Sequence, residues 1–183
     1  MSLVAACLLT GLALLVFGSF LSLGSPGFFR ALERFPRSRT ATLILFGLAT
    51  VLVLYEVTQL GEADFGRYRW WLFAFFAALA GGAWFLVPDF LGIRGLAVLL
   101  LLTAAELLRA AYLEPPTSRL FLVGFVYFVI LAALYLAAVP YRFRDGVEGL
   151  RARPVLRRVL GTFTALYGVG LCVLPLSFGA TSP

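Results

Sequence analysis

Residues 119–139 read RLFLVGFVYFVILAALYLAAV, and beyond Arg119 the run carries no charge. A hydrocarbon core about 30 Å thick is crossed by roughly 20 helical residues, so the run is long enough to span a bilayer. It is continuously apolar rather than alternating with period two, which excludes a barrel strand. Backbone N–H and C=O groups in hydrocarbon must be satisfied within their own segment, and a helix does this. Five further runs of this kind, each bounded by charge, Gly or Pro, lie at 2–23, 40–59, 70–87, 94–113 and 158–178. The predicted fold is all-α: a polytopic membrane protein, with a bundle of about six transmembrane helices in one domain over 1–183.

Composition agrees. The chain is 62% hydrophobic and 13% charged, with a mean hydropathy of +0.98. A soluble domain is about 45–50% apolar and about 25% charged. The connections between runs are too short for a folded soluble domain. Residues 2–23 read as a retained span and not a signal peptide: the first arginine is Arg30, so there is no positive n-region. Val4-Ala5-Ala6-Cys7 mimics a lipobox, but too little apolar sequence precedes Cys7.

All 15 basic residues are arginine, and they set a direction. Arg30, Arg34, Arg37 and Arg39 fall in the first connection, Arg94 in the third, and Arg142, Arg144, Arg151, Arg153, Arg157 and Arg158 in the fifth. The second holds only Arg67 and Arg69, and the fourth only Arg119. By the positive-inside rule the odd connections face the cytoplasm and both termini face outward. The expected location is a bacterial cytoplasmic (inner) membrane. Arginines confined to interhelical connections meet lipid headgroups, so no nucleic-acid partner is expected.

Both basic connections carry an amphipathic segment after a proline that ends the preceding helix. The first places Phe28, Leu32 and Phe35 at near-helical spacing after Pro26, and the second places Phe143, Val147 and Leu150 after Pro140. Such segments are expected to lie in the headgroup plane, aromatic side down, with Arg30, Arg34, Arg37, Arg39, Arg142, Arg144, Arg151 and Arg153 on phosphates. Tyr68, Trp70 and Trp71 beside Arg67 and Arg69 form an interfacial belt at the start of the third run. Small residues mark expected helix contacts: Ala74, Ala77, Ala78, Gly81 and Gly82 in the third run, and Gly161, Ala165 and Gly168 in the sixth. Pro88-Asp89 and Pro115-Pro116 read as turn punctuation.

Few residues carry chemistry. There is no histidine, and Cys7 and Cys172 lack CxxC spacing, so no metal site, haem ligand or imidazole base is expected. Phosphate-binding glycine loops and nucleophile–base pairs are also absent from the sequence. No catalytic residue and no cofactor are expected. Cys7 and Cys172 fall at similar depth and read as small buried apolar residues; a bridge is the alternative if the first and sixth spans are neighbours. One polar site stands out in the fourth run: Thr103, Glu106 and Arg109, three residues apart and so on one helix face. Glu56, near the outer end of the second run, lies at similar depth; it reads as a hydrated interfacial acid, and an outward pocket shared with Glu106 and Arg109 is the alternative. An internal salt bridge fixing helix rotation is the favoured role, and a proton- or cation-handling Glu106 is the alternative.

The runs Phe35-Pro-Arg-Ser-Arg39, Pro115-Pro-Thr-Ser-Arg-Leu120 and Pro140-Tyr-Arg-Phe-Arg-Asp145 resemble multi-span bacterial membrane proteins with no assigned activity. That resemblance implies no activity and no functional residue. The functional expectation is a non-enzymatic accessory or scaffolding subunit of a membrane complex, partnered by the bilayer and by other membrane subunits or its own copies. The alternative is a small transporter or channel using Glu106 with Glu56 and Arg109. A lipid or quinone enzyme is a third class.

Overall fold

The computed structural model describes residues 1–86, 90–114 and 117–178. Pro88-Asp89 and Pro115-Pro116, read above as turns, lie outside the described residues. Among the described residues six helices are long and apolar enough to cross a membrane. They are α1 (Leu3–Leu23), α3 (Arg39–Thr58), α4 (Arg69–Leu86), α5 (Leu91–Ala111), α6 (Arg119–Ala138) and α8 (Pro154–Phe178). The amphipathic segments are helices too: α2 (Pro26–Arg34) between α1 and α3, and α7 (Tyr141–Ala152) between α6 and α8. The protein is an all-α helical bundle, and no strand occurs among the described residues.

Capping follows the local sequence. The hydroxyls of Ser2 and Ser38 accept from the amides of Ala5 and Ala41, satisfying donors that the first turns of α1 and α3 leave open. Pro26 and Pro154 occupy first-turn positions, where a missing N–H costs nothing. The sixth span begins four residues earlier than the expected 158, because Arg157 and Arg158 ride on the first turns of α8 instead of lying in a loop. Hydroxyls inside the spans bond back to their own helix. Thr50, Thr103 and Thr164 donate to the carbonyls of Phe46, Leu99 and Leu160, each at 2.8 Å.

Two glycine-based seams organise the bundle. Along the first, α1 and α8 run antiparallel. A Cβ on Gly18 would lie 2.5 Å from the Ala165 nitrogen, and one on Gly168 would lie 2.6 Å from the Gly11 carbonyl oxygen. Gly11 and Gly18 on α1 face Gly168 and Gly161 on α8, each pair seven residues apart. A seven-residue period keeps one face of each helix on its partner along a left-handed crossing. Along the second seam α5 runs parallel to α3, with Gly95 against the Phe46 backbone and Gly92 against Thr42. In lipid, where leucine gains nothing by burial, such close backbone approach supplies the packing that holds helices together.

The helices form a row, α4 on α3, α3 on α5 and α5 on α6, with α1 and α8 closing one side. The main buried cluster joins Ala6 and Cys7, Ala104 and Leu107, Leu122 and Val126, and Leu171. Tyr167 ties α8 to α6 by donating to the Phe121 carbonyl at 2.7 Å. A soluble monomer of 19.9 kDa exposes about 8,700 Å²; this chain exposes 11821 Å². The excess is lateral and apolar, as a bundle in hydrocarbon requires.

Two expectations need correction. The faces of α2 and α7 are not laid separately on lipid. Phe35 and Phe143 meet at 5.7 Å, and Phe29, Val147 and Leu21 are buried with Phe28, Leu32 and Leu150 around them. Each amphipathic helix hides its apolar face on the other and on the end of α1, and Arg151 clamps the pair to Glu33 at 2.6 Å. The second correction concerns the small residues of α4. No residue of α4 is buried, and nothing lies within 4 Å of a Cβ built on Gly81 or Gly82. Ala74, Ala78 and Gly81 are exposed, because α4 packs on α3 through its opposite face.

Candidate functional site

The intramembrane charges meet near one end of the bundle. Arg109 donates to Glu106 Oε1 at 2.5 Å, one turn back on α5, and its other terminal nitrogen lies 3.9 Å from Glu56 Oε2 on α3. The parallel run of α3 and α5 brings these residues together: both helices start at one end and carry their acids to the other. Side chains of Arg109, Glu106 and Glu56 are 65%, 50% and 46% exposed, so the cluster sits on the flank of the bundle. Arg109 lies about one turn from the end of α5, within reach of headgroups for a snorkelling side chain.

Glu56, Glu106 and Arg109 are brought together by α3 and α5. Glu106 lines a groove of 520 Å³ between α1, α5 and α6, together with Thr103, Thr10, Phe17 and Phe125, but Glu56 and Arg109 do not line it. Thr103 takes no part in the ion cluster, since its hydroxyl donates to Leu99. The cluster sets two carboxyl groups against one guanidinium. Such a cluster can fix the rotation of α5 against α3 and can attract a cation from the headgroup layer. Among the described residues no group of three or more His, Cys, Asp or Glu side chains is placed to hold a metal ion.

The interfacial arginines divide into paired and free. Arg30 Nε donates to the Pro26 carbonyl at 3.2 Å, Arg142 lies over the Tyr141 ring, and Arg144 reaches Asp145 and Glu148, each at 3.7 Å. Arg151 holds Glu33. Arg34, Arg37, Arg39 and Arg153 make no side-chain hydrogen bond or ion pair among the described residues and remain available to anions. Cys7 and Cys172 sit on neighbouring helices and both thiols are free, with Cys172 Sγ 4.0 Å from the Leu8 carbonyl oxygen.

Three features escaped sequence reasoning. Gly11 and Gly18 repeat the spacing of Gly161 and Gly168, and that match was the available signal. Arg157 folds over the Phe29 ring at 5.7 Å in a notch left by Gly24; no local pattern announces a contact so distant in sequence. Two cavities lie beside α3, α4 and α5, one lined by Arg37 and Arg39 and the other by Arg94. No protein-family model, no curated protein and no solved structure matches this chain.

Proposed function

We propose that this protein is a non-enzymatic accessory or scaffolding subunit of a bacterial inner-membrane complex, binding a partner helix along the outward face of α4. One observation carries the reading. The window of α4 that would cross the membrane is 0% buried, although the helix carries the same kind of small-residue stripe that packs α1 on α8. Ala74, Ala78 and Gly81 recur every three or four residues and so share one face, open for close approach by a second backbone. Burial of such a stripe gives packing that lipid tails cannot supply. The distribution of arginines over the connections supports an orientation with both termini on the periplasmic side.

A photo-reactive residue at Ala78, activated in native membranes, tests this directly. The expected product is a discrete adduct heavier than the chain by one protein partner, whether another subunit or a second copy. A probe at Phe128 on α6, also exposed, is the lipid-facing control. Lipid adducts alone at both positions would remove the reading.

The groove wall at Glu106 favours a second reading, a small transporter or channel for cations. In proteoliposomes Glu106→Gln is then expected to lower cation or proton flux at least tenfold, while Thr103→Val leaves it within twofold. Equal flux in wild type and Glu106→Gln eliminates that reading.

A further inference from the structure

The other face of α4 closes a cleft of mixed character. At the end where α3 and α5 begin, a cavity of 510 Å³ is lined by Arg37, Arg39, Thr42, Trp84 and Phe90. Farther along, a second cavity of 230 Å³ runs between Phe46, Ala49 and Leu54 of α3, Phe76 and Ala80 of α4, and Arg94 of α5. The rings of Phe46 and Trp84 meet at 6.3 Å between the two. The first is basic and the second mostly apolar, and they follow one another along α3.

We propose that the two cavities join around one anionic phospholipid, its phosphate on Arg37 and Arg39 and one acyl chain running past Phe46 toward Leu54. Charge complementarity supports that occupant. Arg37, Arg39 and Arg94 make no hydrogen bond or ion pair with the described residues through their side chains. Among the described residues no acidic side chain lines either cavity. An arginine one turn inside a span needs either an anion or a path to the headgroups, because an unpaired charge in hydrocarbon is costly. Arg94 lines the apolar cavity about one turn into α5, where the phosphate of the proposed lipid satisfies it. Length supports the same occupant. From Thr42 to Leu54 the wall of α3 rises about 18 Å, close to the roughly 15 Å depth of one leaflet. Trp84 at the mouth lies where amphipathic rings gather, at headgroup depth. The site is on the opposite face of α4 from the stripe proposed for a partner, and does not depend on it.

Native mass spectrometry of the full chain, stripped of lipid in mild detergent and titrated with defined lipids, tests the site. One phosphatidylglycerol is expected to bind at least tenfold more tightly than phosphatidylcholine of the same chains. The variant Arg37→Gln/Arg39→Gln/Arg94→Gln is expected to lose that preference, and Arg30→Gln/Arg34→Gln to keep it. Ala80→Phe, which fills the apolar half, is expected to weaken phosphatidylglycerol at least tenfold, independently of the arginines. Equal binding of the two lipids overturns the proposal, as does loss of preference in the Arg30/Arg34 variant alone. Displacement of the lipid by millimolar inorganic phosphate assigns the mouth to a soluble anion and overturns it too.

Discussion

Gly18→Leu is expected to cost about 3 kcal/mol or more in denaturant titration of the protein in mixed micelles, followed by helical circular dichroism. A Cβ at Gly18 would meet the Ala165 nitrogen at 2.5 Å and the Gly161 carbonyl oxygen at 2.6 Å, atoms of a backbone and not the movable end of a side chain. Relief requires α1 and α8 to part along the whole seam, because rigid helices separate as units. Every contact at Gly11, Gly161 and Gly168 weakens with it. Adding Gly161→Leu should therefore cost far less in the Gly18→Leu background than alone, since residues sharing one contact are not additive. Gly47→Ala and Gly170→Ala are the controls. Nothing lies within 4 Å of a Cβ at either position, so each should be neutral or stabilising by about 0.5–1 kcal/mol through helix propensity alone. Wild-type stability in Gly18→Leu, or equal damage from Gly47→Ala, would disprove the seam.

The seam also shows how far the sequence carries. Spans are legible because their signal is local: hydropathy over about 20 residues needs no knowledge of neighbours. All six are legible, and their ends shift by a residue or two except at the start of α5, three residues early, and at the start of α8, four residues early. Pairing is not local. Gly161, Ala165 and Gly168 form a contact face toward α1; Ala74, Ala78 and Gly81 carry the same pattern and are exposed. A small-residue stripe states that a backbone can come close and says nothing about whose backbone it is.

The polar cluster divides the same way. The spacing of Glu106 and Arg109 on one helix dictates their contact, and a depth count placed Glu56 at their level. Nothing in the sequence requires α3 and α5 to be adjacent, and without that the third member would face lipid elsewhere. The groove beside Glu106 was illegible for the same reason, since its walls come from α1 and α6. The amphipathic helices show a subtler limit: periodicity identified their apolar residues correctly, but periodicity is equally satisfied by lipid and by another helix.

Gly24→Ala is expected to destabilise the protein by about 2–4 kcal/mol, from two causes that can be separated. Gly24 ends α1 in the left-handed conformation, φ 67°, with its amide donating to the Phe20 carbonyl at 3.2 Å. A residue with a Cβ there costs about 1–2 kcal/mol in backbone strain. The second cause is crowding: the Cβ would strike the guanidinium of Arg157, which lies in the notch with its face on the Phe29 ring. Its Nε is buried without a hydrogen-bond partner among the described residues, so the ring contact and the notch hold it in place. Arg157→Ala alone should cost only about 0.5–2 kcal/mol, the worth of a cation–π contact. In the double variant the collision disappears and the strain stays, so its loss must fall short of the sum of the two by about 1 kcal/mol or more. Additive losses in the same micelle titration would mean that Arg157 swings away freely and does not brace α8 against the turn between α1 and α2.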